Sequence, residues 1–137
     1  MRRAAWLLLF CGCSAGVSGP PNVDVGGGAD QFITLRDGDS VPIIHGLQGG
    51  YHVWGSVRAS GVDPNALALR FTLYIEEATD AYTIRNDTVD LSDGEHLGTA
   101  VFLPNPDDVR GRSCRFHLDV TDAAGRTASS EHRVTPN

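Results

Sequence analysis

The sequence predicts an all-β protein whose fold is an antiparallel sandwich of two sheets with seven or eight strands. Sixteen glycines and seven prolines among 137 residues interrupt the chain too often for long helices and suit short strands joined by turns. From Gln31 onward, apolar residues recur at every second position, which is the period of a half-buried strand. The strands follow one another at about ten-residue intervals, a spacing typical of sandwiches, with a small β-barrel as the alternative.

The first three predicted strands lie between residues 32 and 60. Segment 32–36 ends at the turn-forming residues 37–39, Asp-Gly-Asp. Segment 41–45 contains Pro42, which lacks an amide donor and therefore favours the edge of a sheet. Segment 51–60 alternates cleanly, with valines on one face and residues such as Trp54 on the other.

The middle of the chain holds the clearest strand. In segment 67–77 five apolar residues alternate with polar or small ones, which predicts a strand in the middle of a sheet. Segments 82–85 and 88–91 are weaker and are predicted to be two short edge pieces. Segment 97–103 alternates again, before the breaker sequence Pro-Asn-Pro-Asp-Asp.

The last two predicted strands form a hairpin. Segments 113–121 and 126–135 are joined by the turn sequence Asp-Ala-Ala-Gly. The hairpin VTDAAGRTASSEHRV resembles the closing hairpin of bacterial immunoglobulin-like and fibronectin type III-like domains, and this resemblance implies an immunoglobulin-like sandwich. Cys114 shares its face with apolar residues and is predicted to be an inert thiol in the core.

The N-terminus has the layout of an export signal. Arg2 and Arg3 precede an apolar run over residues 4–10, which is too short to span a membrane as a helix. The sequence Leu-Phe-Cys-Gly-Cys that ends at Cys13 resembles the lipobox of bacterial lipoproteins, although phenylalanine and cysteine stand where that family prefers an aliphatic and a small residue. The resemblance implies that Cys13 carries a diacylglycerol and begins the mature chain. The alternative is an ordinary secretory signal that is cut near residues 14–16.

These patterns divide the chain into three parts. Residues 1–12 are interpreted as a lipoprotein-type signal peptide, residues 13–30 as a flexible tether and residues 31–137 as the sandwich domain. The middle part is expected to be flexible because it is rich in glycine, proline and other small residues. The lipoprotein interpretation places the domain on the periplasmic or outer-membrane face of the cell envelope, anchored through its N-terminal lipid.

Charge and motifs exclude several functions. The net charge is −6 and all eleven cations are arginines, so a nucleic-acid partner is not expected. The sequence contains neither a nucleophile elbow nor a phosphate-binding loop, so we expect neither catalytic residues nor a cofactor.

Two sets of residues remain as candidate sites. Trp54 and Tyr74 fall on the polar faces of their strands and are predicted to form an exposed aromatic platform for a protein or glycan. His45, His52 and His117 are candidate metal ligands, provided that the fold brings them together. The leading hypothesis is therefore a lipid-anchored envelope module for binding or adhesion, and the alternative is a periplasmic metal- or small-ligand-binding protein that uses the three histidines.

Overall fold

The computed structural model describes residues 17–137, which form two five-stranded β-sheets and contain no α-helix. The predicted signal peptide and Cys13 lie outside the described residues. A single turn of 3-10 helix, Pro106–Asp108, lies between the eighth and ninth strands. Sheet 1 consists of β1 (Asn22–Gly27), β2 (Ile33–Thr34), β4 (Ile44–His45), β5 (Tyr51–Ser60) and β8 (Glu95–Leu103). Sheet 2 consists of β3 (Asp39–Val41), β6 (Leu67–Ile75), β7 (Thr83–Val89), β9 (Cys114–Thr121) and β10 (Thr127–Pro136).

The strand order of each sheet joins strands that are distant in the sequence. In sheet 1, β5 pairs with β8 on one side and with both β1 and β4 on the other, and β2 extends β1. In sheet 2 the order is β3-β10-β9-β6-β7, so β6 lies inside the sheet as predicted. All pairs are antiparallel except β3 with β10, which is parallel. The predicted two-sheet sandwich is therefore confirmed, with this one parallel pair as the exception.

The core lies between the two sheets. Phe71 of β6 and Phe116 of β9 are fully buried and stack on each other, with ring centroids 5.8 Å apart. Gly55 faces them from sheet 1, and a Cβ atom at this position would lie 2.7 Å from the Phe71 ring. The sequence therefore uses a glycine in β5 to admit a phenylalanine from the opposite sheet.

Cys114 is buried in this core with a free thiol, as predicted. Burial raises the pKa of the Cys114 thiol to about 11. The reactive thiolate is therefore scarce at neutral pH, and the side chain behaves as a small apolar residue.

The N-terminal boundary of the sandwich differs from the prediction. The sequence predicts that residues 22–27 belong to a flexible tether. They instead form β1 and pair with the C-terminal half of β5. Val23 and Val25 are buried, and a Cβ atom at Gly26 would lie 2.5 Å from the Phe32 ring. His132 Nε2 of β10 also lies 2.8 Å from the Asp24 carboxylate. The glycines of this segment therefore serve close packing, and the tether prediction was wrong for β1.

Some other boundaries also differ from the prediction. The predicted strand 41–45 is divided at Pro42, because β3 pairs with sheet 2 whereas β4 pairs with sheet 1. The two short pieces predicted at 82–85 and 88–91 form one strand, β7. With these changes the fold has seven strands of six or more residues and three shorter ones, against the predicted seven or eight.

Asp122 joins two loops at the end of the sandwich where β9 turns into β10. Its carboxylate accepts hydrogen bonds from the backbone N–H groups of Asp63, Ala124 and Arg126, and Arg126 Nε donates to it at 2.8 Å. The hydrogen bond from the Asp63 N–H makes the largest contribution to lowering the pKa of Asp122 below its usual value.

We expect Asp122 to make stability depend on acid pH. Because its pKa is lower in the folded chain than in the unfolded chain, its contribution is present above the ordinary value of 3.8 and is lost as pH falls through the folded value. Urea unfolding of the wild type and D122N across acid pH measures this effect. The difference in unfolding free energy between the two proteins should narrow as pH falls below 3.8, and a constant difference would exclude the assignment.

Candidate functional site

The outer face of sheet 1 carries a group of aromatic side chains close to solvent. Phe102 of β8 is 53% exposed, although it is flanked in sequence by two buried residues. His52 lies opposite Phe102 in the β5–β8 pairing, with ring centroids 6.2 Å apart. Trp54, two residues along β5, meets the His52 ring edge-on with centroids 4.4 Å apart. We call His52, Trp54 and Phe102 the aromatic surface.

His52 forms the floor of the aromatic surface. Its side chain is buried, and its Nε2 atom has no hydrogen-bond partner among the described residues. Burial lowers the pKa of His52 below its usual value, so the ring stays neutral at a lower pH than an exposed histidine would. The imidazole therefore acts as a packing ring between Trp54 and Phe102.

A small cleft adjoins Trp54. It lies where the pairing along β5 is interrupted, because β4 pairs only as far as His52 and β1 pairs only from Ser56. Its volume is about 140 Å³, below the range of about 300–1,000 Å³ typical of small-molecule pockets, so it has the size of a recess for a single side chain. Its lining combines Trp54 with small and apolar residues: Gly27, Gly28, Ile33, Leu35, Ser40, Val41 and Pro42.

Trp54 and Tyr74 do not form the predicted platform together. Trp54 lies on the outer face of sheet 1, whereas Tyr74 belongs to β6 in sheet 2. The guanidinium carbon of Arg115 lies 4.4 Å from the centre of the half-buried Tyr74 ring. The aromatic partner of Trp54 on its own face is instead Phe102, through His52.

The three candidate metal ligands are also separated by the fold. His52 lies on the outer face of sheet 1, and His45 stacks on Tyr51 with ring centroids 4.8 Å apart. His117 belongs to β9 of sheet 2, with its ring nitrogens 3.1 Å from carboxylate oxygens of Glu131 and Asp119. Within residues 17–137, no three His, Cys, Asp or Glu side chains are grouped so as to hold a metal ion. The expectation of a site built from these three histidines is corrected accordingly.

The position of the aromatic surface relative to the chain start follows from the pairing of sheet 1. The chain enters the sheet at Asn22, which lies opposite Ser60 at the end of β5. His52 precedes Ser60 by eight residues in β5, a distance of about 27 Å at the usual rise per residue. Phe102 of β8 lies opposite His52. The aromatic surface therefore lies towards the end of the sheet that is far from the N-terminus.

Phe102 is the site residue that the sequence reasoning missed. Alternation in segment 97–103 already puts Phe102 on the face opposite Val101 and Leu103, both of which are buried. A large aromatic residue on the polar face of an alternating strand was the available signal. Its pairing with His52 depends on the β5–β8 register, which alternation does not supply.

No known family model matches this chain, and no curated protein is similar to it. The described residues, 17–137, contain no helix of the length and apolar character needed to cross a membrane.

Proposed function

We propose that this protein is an exported, lipid-anchored module of the bacterial cell envelope that binds a protein or glycan partner and has no catalytic activity. The observation that carries the proposal is the half-exposed ring of Phe102, joined to Trp54 through His52, on the outer face of sheet 1 and towards the end of the sheet that lies far from the chain start. The lipobox-like sequence that ends at Cys13 supports the anchor.

The chemistry of the aromatic surface suits binding. Tryptophan and other aromatic residues are enriched where binding energy is concentrated, because they bury large apolar areas with few rotatable bonds. Covering an exposed ring contributes about 25 cal/mol for each Å² of apolar surface removed from water. The cleft beside Trp54 adds a recess in which one apolar side chain of a partner fits.

The position of the aromatic surface suits a partner away from the anchoring membrane. Because β1 begins at Asn22, the tether is shorter than the sequence predicts. Nine peptide bonds link Cys13 to Asn22 and span at most about 30 Å. A short tether at one end of the sandwich directs the other end, where Phe102 lies, away from the membrane.

Protection of a cysteine at residue 100 tests the proposal. Ala100 lies opposite Trp54 in the β5–β8 pairing and next to Phe102 in the chain. In membranes, the Ala100→Cys variant should react with a bulky maleimide at least about tenfold more slowly than in the purified chain, solubilised in detergent and diluted until it is monomeric, because the bound partner covers it. Ser129→Cys is the control, because Ser129 is exposed on β10 of the other sheet, three strands away from β7, and it should react equally fast in both settings.

Adding Phe102→Ser to the Ala100→Cys variant should restore fast labelling in membranes, because the partner loses its main apolar contact. Equal rates for Ala100→Cys in membranes and in the diluted, monomeric chain would show that nothing covers this surface and would overturn the proposal.

A further inference from the structure

The edge of sheet 1 beside the aromatic surface is open. Among residues 17–137, β8 pairs with β5 on one side and has no partner on the other. β7, the neighbouring edge of sheet 2, pairs only with β6 and contacts β8 across the sandwich. Both sheets therefore present a free edge on the same side of the molecule.

β8 also lacks the features that usually protect an edge strand. Residues 96–103 contain no Asp, Glu, Lys, Arg or Pro, in a chain in which 20% of residues are charged. The other edge strands are either two or three residues long, like β2, β3 and β4, or charged, like β7 with Arg85 and Asp87. Natural sheets use short strands and charges to prevent pairing with other chains. The unprotected edge of β8 therefore suits an added strand.

We propose that β8 pairs antiparallel with β8 of a second copy of this chain, about a two-fold axis through Val101. This inference deepens the proposed function, because it names the partner of the aromatic surface. The pairing covers residues 99–103, clear of the irregular register near Gly55. It places Phe102 of each copy opposite Ala100 of the other, so a large ring packs beside a small residue on the same face. No charged side chain is buried in the pairing.

Two charged residues of β7 in sheet 2, Arg85 and Asp87, support this pairing. The guanidinium carbon of Arg85 lies 5.9 Å from the centre of the Phe102 ring, so the side chain of this β7 residue reaches the aromatic surface. Among the described residues, Arg85 Nε is buried without a hydrogen-bond partner, and Arg85 NH2 lies 3.6 Å from the Asp87 carboxylate. Because β7 contacts β8, the proposed pairing brings the β7 strands of the two copies together. Arg85 and Asp87 then offer opposite charges for a reciprocal pair between the copies.

Self-pairing accounts for more of these features than a foreign strand does. A two-fold antiparallel contact needs an edge that is complementary to itself, and an uncharged strand with Ala100 and Phe102 on either side of Val101 meets that condition. The same pairing offers Arg85 and Asp87 for a reciprocal pair. In such a dimer the N-terminal segments of the two copies extend from opposite ends of the dimer. The lipid anchors of the two copies therefore point in opposite directions.

A mixed-disulfide experiment on the full chain tests this register. One chain carries Ala100→Cys and the other Phe102→Cys, and both are co-expressed, extracted in detergent and oxidised mildly. Directly opposite residues in an antiparallel pair have Cα atoms about 4.5–5.5 Å apart, within the range that a disulfide spans. We expect a disulfide-linked dimer in the mixture and little in either variant alone, because 100 with 100 and 102 with 102 are offset along the strands.

Three further measurements distinguish a specific pairing from chance disulfides. The wild-type chain measures disulfides formed by its own cysteines, and Ser129→Cys mixed with Phe102→Cys measures random collision. Phe102→Glu should weaken dimerisation of the wild-type chain in sedimentation analysis by at least about tenfold, because it places a carboxylate in the apolar contact.

Absence of the mixed disulfide, or equal yield with Ser129→Cys, would overturn the second copy as partner. A disulfide to a different protein would overturn it as well. Protection of Ala100→Cys in membranes without the mixed disulfide would leave the proposed binding function standing and remove only self-pairing.

Discussion

Cells that express the Cys13→Ser variant are expected to incorporate no clickable fatty acid into this protein. In the proposed lipoprotein the diacylglycerol is attached to the thiol of Cys13, the cysteine that ends the lipobox-like sequence, and serine lacks a thiol. Cys114 cannot replace it, because that thiol is buried and its pKa is raised to about 11. Each buried CH₂ of an acyl chain contributes about 0.8 kcal/mol, so loss of the lipid removes the main contribution to membrane attachment.

Cys11→Ser is the matched control for Cys13→Ser. It changes a cysteine two residues away and should keep the fatty-acid label at the wild-type level. Label that persists on Cys13→Ser would show that this residue is not the acylated cysteine and would favour an ordinary secretory signal cut near residues 14–16.

Phe71→Ala is expected to lower the free energy of unfolding by about 3–5 kcal/mol. Phe71 is fully buried, stacks on Phe116 and fills the space that Gly55 leaves in the opposite sheet. Because Gly55 has no side chain to move into the gap, a cavity remains after truncation. Domains of this size are typically stable by about 5–15 kcal/mol, so the loss is a large part of the total.

Phe102→Ala gives the matched comparison for Phe71→Ala, because it truncates the same residue type where it is half-exposed. Its effect on unfolding should stay within about 1 kcal/mol. Urea unfolding of both variants under conditions that keep the chain monomeric measures the difference. Equal losses for the two variants would contradict the placement of Phe71 between the sheets.

The sequence predicts the long strands well and the short ones poorly, for a physical reason. β5 and β6 alternate over nine or ten residues, so their burial pattern is visible in the chain itself. β1 was missed because it supplies two buried valines among glycines whose role depends on Phe32 and Leu35 packing against them. Such contacts become visible only when distant segments are brought together.

The candidate site shows the same limit. The alternation of β5 places Trp54 and His52 on the outer face, as the structure confirms. It does not show that Tyr74 and His117 lie on the other sheet, because assignment to a sheet depends on pairing between distant strands. For the same reason Phe102, whose partner in the pairing is His52, could not be joined to the site from sequence alone.

Photo-crosslinking from residue 102 in intact cells tests the binding function most directly. A photoreactive phenylalanine analogue replaces Phe102 in the full chain, and the same analogue replaces Ser129, which is exposed on β10 of the other sheet, as the control. We predict a discrete crosslinked product from residue 102 and none from residue 129, because the partner meets the aromatic surface and not the far side of sheet 2. No product from residue 102, or the same products from both positions, would contradict the account.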